Sequence, residues 1–171
     1  MAKATLISVD EYLHTDYQPD CDYVDGVVEE RNRGENPHSS LQGEFIVALH
    51  RYCDILNIRV YPEQRVQTQS ARFRIPDVCV TLGKSDEAVF RRPPFLCVEI
   101  LSSEDRMSRV EKRLEEYLDM GVSYVWVVDP LRHDAWIYSA SGKRAVTDGM
   151  LRTGDPEMEI DLSELFRLAE E

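Results

Sequence analysis

Two acidic residues sit inside apolar runs that read as consecutive β-strands. Asp77 lies in Arg74-Ile75-Pro76-Asp77-Val78-Cys79-Val80, and Glu99 in Phe95-Leu96-Cys97-Val98-Glu99-Ile100-Leu101. Carboxylates are among the side chains least often buried, and Asp is depleted in strands, so both placements need a cause. One cause is chemical: Mg²⁺ takes hard oxygen ligands and is commonly held by one or two protein carboxylates, so acids on neighbouring strands can build a divalent-metal site. The other is structural, with each acid ending its strand or pairing with an arginine such as Arg74. Strand alternation puts Cys79 and Cys97 on the same face as Asp77 and Glu99. They read either as thiolate ligands of a zinc site or as small core residues beneath the acids, and the second reading has the better physical footing.

The segment after Glu99 supplies the candidate cations. Its periodicity predicts a helix from about Glu104 to Met120, capped by Ser102 or Ser103 and closed by Gly121. At about 100° per residue, Met107, Val110, Leu114, Tyr117, Leu118 and Gly121 form one stripe that should face the sheet. Arg106 and Arg113 flank that stripe, whereas Lys112 falls almost opposite and should point to solvent. Arg113 and Tyr117 form an i, i+4 pair beside the stripe. For the helix taken alone, the expectation is that Arg106, Arg109 and Arg113 pair with Glu111, Glu116 and their neighbours on a solvated face.

The elements that must position these groups follow from local patterns. Ser8-Val9-Asp10-Glu11 reads as a capping box opening a short helix through His14. Tyr23 to Val28 reads as a hairpin turning at Asp25-Gly26, its second strand running to about Arg31. Leu41, Phe45, Ala48, Leu49, Tyr52 and Leu56 recur at helical spacing and predict one long helix from Pro37 to Leu56. Ile58–Gln69 reads as one strand, and Tyr124–Val128 as a continuous apolar strand stopped by Asp129-Pro130. Ala135–Ser139, Lys143–Val146 and a segment near Glu159–Ile160 are weaker strands, and Leu162–Leu168 is a last helix. This order is a mixed sheet with helices packed on it, an α/β (α+β) fold. The strand from Phe95, the helix from Glu104 and the strand from Tyr124 form a crossover, which makes those two strands parallel.

The chain has 171 residues, a length that suits one domain over 1–171. Its 43% hydrophobic and 30% charged content is that of an ordinary globular protein. No apolar run is long enough to span a membrane, and Met1–Thr5 has no signal-peptide core. The four cysteines (Cys21, Cys53, Cys79, Cys97) are widely spaced, which fits reduced thiols and a cytoplasmic location. A net charge of −12 counts against a non-specific DNA binder but leaves room for a local basic cleft.

Several further motifs occur in order along the chain. They are Asp25-Gly26, Pro37-His38, Ile75-Pro76-Asp77-Val78, Val98-Glu99-Ile100-Leu101-Ser102, Glu116-Tyr117-Leu118 with Gly121-Val122, and Val125-Trp126-Val127-Val128-Asp129-Pro130. The ordered set resembles the Uma-type restriction endonuclease family of the PD-(D/E)xK nuclease superfamily over nearly the full chain. The resemblance implies a restriction-endonuclease-like core preceded by a helix and a hairpin, with Asp77 and Glu99 as ligands of Mg²⁺ or Mn²⁺ and DNA as substrate. A metal so held polarises a phosphodiester and acidifies a water, while a nearby cation stabilises the transition state.

The nuclease pattern has lysine two residues after the glutamate; this chain has Leu101. In the Uma-type variant the lysine has moved to the following helix, four residues before the tyrosine, which here is Arg113. Helix phase independently brings Arg113, not Lys112, near the sheet; Lys112 remains the alternative if the phase is wrong. Arginine stays protonated and cannot act as a base, so the expectation divides between an active metal-dependent endonuclease and a degraded nuclease-fold protein acting by binding or self-association. Glu30, Glu44, His38 and His50 read as surface or packing residues, and Trp126 and Trp136 as core or interface aromatics. Because duplex cleavage cuts two strands, a homodimer is expected, with its interface on Tyr124–Val128 and Ala135–Ser139, including Trp136.

Overall fold

A computed structural model describes residues 5–31 and 35–171. Ser8 accepts a hydrogen bond from the Glu11 amide and caps α1 (Val9–His14), as its capping box predicts. β1 (Asp22–Val24) and β2 (Val27–Glu29) form the expected hairpin, with Asp25 and Gly26 at φ 50° and 95°, left-handed values that favour this pair. Pro37 lies in the first turn of α2 (Asn36–His50), where its missing N–H costs nothing.

The long helix expected to reach Leu56 is interrupted. Tyr52 donates its amide to Leu49, and a separate turn, α3 (Cys53–Leu56), follows and stops at Asn57 with φ 51°. The Tyr52 hydroxyl is meanwhile bonded to the backbone of Glu159 at 2.9 Å and 3.1 Å, which ties this break to the far end of the chain.

The single strand expected over Ile58–Gln69 is two strands in different sheets, β3 (Ile58–Pro62) and β4 (Val66–Gln69). Pro62 and Glu63, the latter at φ 47°, turn the chain between them. The run from Arg74 to Val80 is likewise divided between β5 (Arg72–Arg74) and β6 (Val78–Leu82). Pro76 has no amide to give a ladder, so Asp77 stands at the entrance of β6 rather than inside a strand.

β7 (Leu96–Ile100) leads through α4 (Met107–Met120) to β8 (Tyr124–Asp129), and β7 and β8 are parallel, as the crossover requires. α4 starts later than predicted: Arg106 occupies the cap position and no side chain caps it, while Ser102 and Asp105 form a turn of their own before the helix. Gly121 closes the helix at φ 105°. β9 (Asp134–Ser139), β10 (Gly142–Ala145), β11 (Met150–Arg152), β12 (Glu159–Asp161) and α5 (Leu162–Glu170) complete the chain. β11 was not visible in the sequence pattern.

The main sheet has six strands in the order β10-β9-β8-β7-β6-β3, and a smaller one the order β2-β1-β5-β4. Val78, Val80, Val98, Ile100, Trp126 and Val128 pack with residues of α2 and α5 such as Phe45, Leu49 and Leu165. On the other face Cys79, Cys97, Val125 and Val127 pack with Val110, Leu114 and Tyr117 of α4. Burial on both faces explains why these strands are continuously apolar. Met107 departs from the predicted stripe: it is exposed.

Candidate active site

Strand register brings the two acids together. Cys79 faces Cys97 and Val78 faces Val98 across β6 and β7, so one further step in the same register sets Asp77 opposite Glu99. Both belong to the parity that faces α4, and both are buried, at 4% and 3% exposure. Asp77 Oδ2 accepts the Ile100 amide at 2.7 Å, which welds the entrance of β6 to the end of β7. Gln42 of α2 donates to the Asp77 carbonyl at 2.8 Å. The cysteines lie in the core beneath, fully buried and unpaired, with the Cys79 thiol pushed up to about 12 by burial. Such thiols stay protonated, which disfavours the thiolate site.

Each carboxylate is met by cations and donors. The other Asp77 oxygen, Oδ1, takes Arg31 Nη2 at 2.8 Å and His38 Nε2 at 3.3 Å. Glu99 Oε1 accepts the Tyr117 hydroxyl at 2.7 Å, and Oε2 faces Arg113 Nη1 at 3.4 Å. Arg113 and Tyr117 therefore act as the predicted i, i+4 pair on one carboxylate, while Lys112 is exposed. The two acids differ in electrostatics. Burial pushes the Asp77 carboxyl up, but His38, Arg31 and the Ile100 amide outweigh it and hold it below the usual range. Burial dominates at Glu99, Arg113 opposes it, and the neighbouring Asp77 adds to it, leaving that carboxyl at about 7.

A second ionic knot lies beside the first on the same two segments. Glu116, one residue before Tyr117, is buried and receives Arg74 at 2.8 and 2.9 Å, Arg72 at 3.1 Å and Thr68 at 3.2 Å. Arg74, three residues before Asp77, also reaches Asp22 at 3.1 Å and Glu29 at 3.2 Å. Glu116 is thus not the solvated partner of the α4 arginines, and Arg74 is not the partner of Asp77. Beside Arg31 opens a cleft of about 750 Å³ lined also by Tyr17, Ser102 and Arg109, among others, adjoined by a smaller one of about 140 Å³ that Asp22, Arg106 and Arg113 line. Neither Asp77 nor Glu99 lines these clefts; Arg31 and Arg113 do.

The sequence model of the Uma2 family, described as "Putative restriction endonuclease", matches residues 9–167. The chain belongs to the Uma2 family. Among solved structures, a putative nuclease belonging to DUF820 from Anabaena variabilis ATCC 29413 shares the fold at a TM-score of 0.84. It is 19% identical, over 95% of this chain and 99% of that one. No curated protein matches the chain.

Within this Uma2 chain, the groups that sequence reasoning missed are Arg31, His38, Gln42 and Asp22. Arg31 and Asp22 come from the hairpin and its exit, and no spacing links them to Asp77. His38 carried a signal in Pro37-His38, because a side chain in the first turn of a helix packed on β6 can reach the strand entrance. Glu30 is exposed and Glu44 partly buried, and neither contacts the acids. Among the described residues, no three His, Cys, Asp or Glu side chains converge to hold a metal by themselves. The donor set is two carboxylates of hard oxygen, which suits an ion such as Mg²⁺ that keeps several waters. No helix among the described residues is long and apolar enough to cross a membrane.

Proposed function

We propose that the chain is a metal-dependent endonuclease hydrolysing DNA phosphodiester bonds, with Asp77 and Glu99 holding Mg²⁺ or Mn²⁺. The observation that carries this reading is the pairing of two buried carboxylates across β6 and β7 beneath an arginine from α4. When bound, the metal supplies a Lewis acid for the phosphodiester and acidifies a water. Tyr117 fixes the rotamer of Glu99 through its hydroxyl, and the Ile100 amide fixes that of Asp77. Arg113 remains protonated and sits where a guanidinium can hold a phosphate oxygen and stabilise the charge that develops on it. Lys112 points away from the carboxylates and takes no part.

Two features support a second reading, a nuclease-fold binder without hydrolysis: Leu101 stands where the nuclease pattern has lysine, and Arg31 occupies an oxygen of Asp77. One experiment separates them. Supercoiled and linear DNA are incubated with the protein in Mg²⁺ or Mn²⁺, beside Asp77→Asn. Metal-dependent cleavage that Asp77→Asn abolishes supports the nuclease; DNA binding without cleavage in either ion supports the binder. For the nuclease we further propose a cytoplasmic homodimer, since four unbonded buried thiols suit a reducing compartment and two-strand cleavage suits two sites.

A further inference from the structure

Arg31 bridges a buried carboxylate and an exposed one. It makes one contact with Asp77, Nη2 to Oδ1 at 2.8 Å, and its Nη1 lies 3.3 Å from Glu63 Oε1. The Glu63 side chain is 55% exposed, and Arg31 itself lines the 750 Å³ cleft. Arg113 is as shielded as Arg31, but it lines the smaller cleft and not the larger one, and both carboxylates it meets, Glu99 and Asp105 at 3.9 Å, are themselves shielded from solvent. Removing a guanidinium from a buried carboxylate is costly when it strands a charge. Arg31 would strand none: it keeps Glu63 and faces the open cleft. Asp77 keeps the Ile100 amide on its other oxygen.

We propose that Arg31 and a divalent cation compete for the same oxygen of Asp77, so that metal binding transfers Arg31 to Glu63 and the cleft. This rests on the reading of Asp77 and Glu99 as metal ligands. Two cations on one carboxylate oxygen repel strongly in a site shielded from water, so the exchange sets the metal affinity. It also makes the guanidinium available in the cleft, where a phosphate group of a nucleic acid is the matching ligand.

The test uses Mn²⁺ alone, titrated calorimetrically into the whole chain, and thermal melts with and without it. Arg31→Met keeps the apolar stem and removes the competitor, so Mn²⁺ binds roughly tenfold tighter or better and raises the melting temperature more than in the parent chain. Glu63→Gln removes the alternative partner on an exposed side chain and weakens Mn²⁺ binding. In the Arg31→Met background that effect of Glu63→Gln disappears, whereas a direct pull of Glu63 on the metal would persist. Mn²⁺ binding by Arg31→Met no tighter than by the parent, or a Glu63→Gln effect that survives in the double variant, overturns the exchange. If the parent still binds Mn²⁺ and Asp77→Asn does not, the metal reading stands without it. Absence of Mn²⁺ binding in every variant rejects both.

Discussion

Glu99 and Asp77 show how two carboxylates in facing register take opposite characters. Asp77 has two cationic neighbours and a backbone amide; Glu99 has one guanidinium at 3.4 Å, a hydroxyl, and Asp77 itself. With its folded-state value raised to about 7, Glu99 binds a proton more readily folded than unfolded. Its contribution is therefore full below the unfolded carboxylate range and is lost as pH rises through about 7. His38, also raised, by its bond to Asp77 against the effect of burial, acts in the same direction. Denaturant titrations from pH 5 to 8 should show stability falling by a few kcal/mol, and Glu99→Gln should flatten most of that slope. A slope unchanged by Glu99→Gln would assign the effect elsewhere.

On the proposed function, activity at the residue scale turns on Arg113. If the site cleaves DNA, Arg113→Ala should lower kcat roughly a hundredfold and Lys112→Ala should leave it nearly unchanged. Arg113→Lys tests whether a point charge suffices. Asp77, Glu99 and Arg113 were legible in the sequence because each rests on a local rule: strand parity for the acids, helix phase for the arginine. Arg31, Asp22 and the Arg74–Glu116 pair were not, since their partners lie 42 to 53 residues away and no periodicity connects them.

Among the elements, α4 does most to assemble the site, and Glu116 is what holds it to the smaller sheet. Its carboxylate binds Arg74 and Arg72 of β5 and Thr68 of β4, so the turn of α4 that carries Arg113 and Tyr117 is fixed against two strands. These three partners keep Glu116 ionised below the usual carboxylate range despite burial. Glu116→Gln should cost about 3 kcal/mol or more by urea unfolding, as expected when one member of a buried ion pair is removed. Arg74→Met should cost more still, because it takes from buried Asp22 its directly bonded guanidinium and leaves it the Ile75 amide and the field of Arg113, while Arg72 continues to serve Glu116. The reverse order would mean that Asp22 is compensated by another group. Pattern reading placed α4, its closing glycine and the parallel strand pair, but it ran β3 into β4 and β5 into β6. Hydropathy did not report those bends: they are made by Pro62-Glu63 and Pro76, where the backbone turns from one sheet to the other.

For the whole molecule, the question that the proposed function raises is how a chain of net charge −12 would hold a polyanion and cut both of its strands. The interface expected on Tyr124–Val128 is not there: Val125 to Val128 are buried within the chain, and Trp136 packs half-buried on the α4 side beneath Lys143. A continuous apolar strand looks the same whether its second face is covered by a partner or by the chain's own helices, and here α2, α4 and α5 cover it. The β10 edge is exposed and carries Lys143 and Arg144, charges that discourage edge-to-edge pairing. A dimer would have to form elsewhere. Two sites remain the direct route to a double-strand break, because one carboxylate pair serves one phosphodiester at a time. Light scattering at micromolar concentration should give twice the 19.8 kDa chain mass, and supercoiled plasmid should pass to linear product with little nicked intermediate. A monomeric mass with nicked circles accumulating first would replace duplex cleavage by single-strand nicking, leaving the chemistry of Asp77, Glu99 and Arg113 as argued and confining it to one strand.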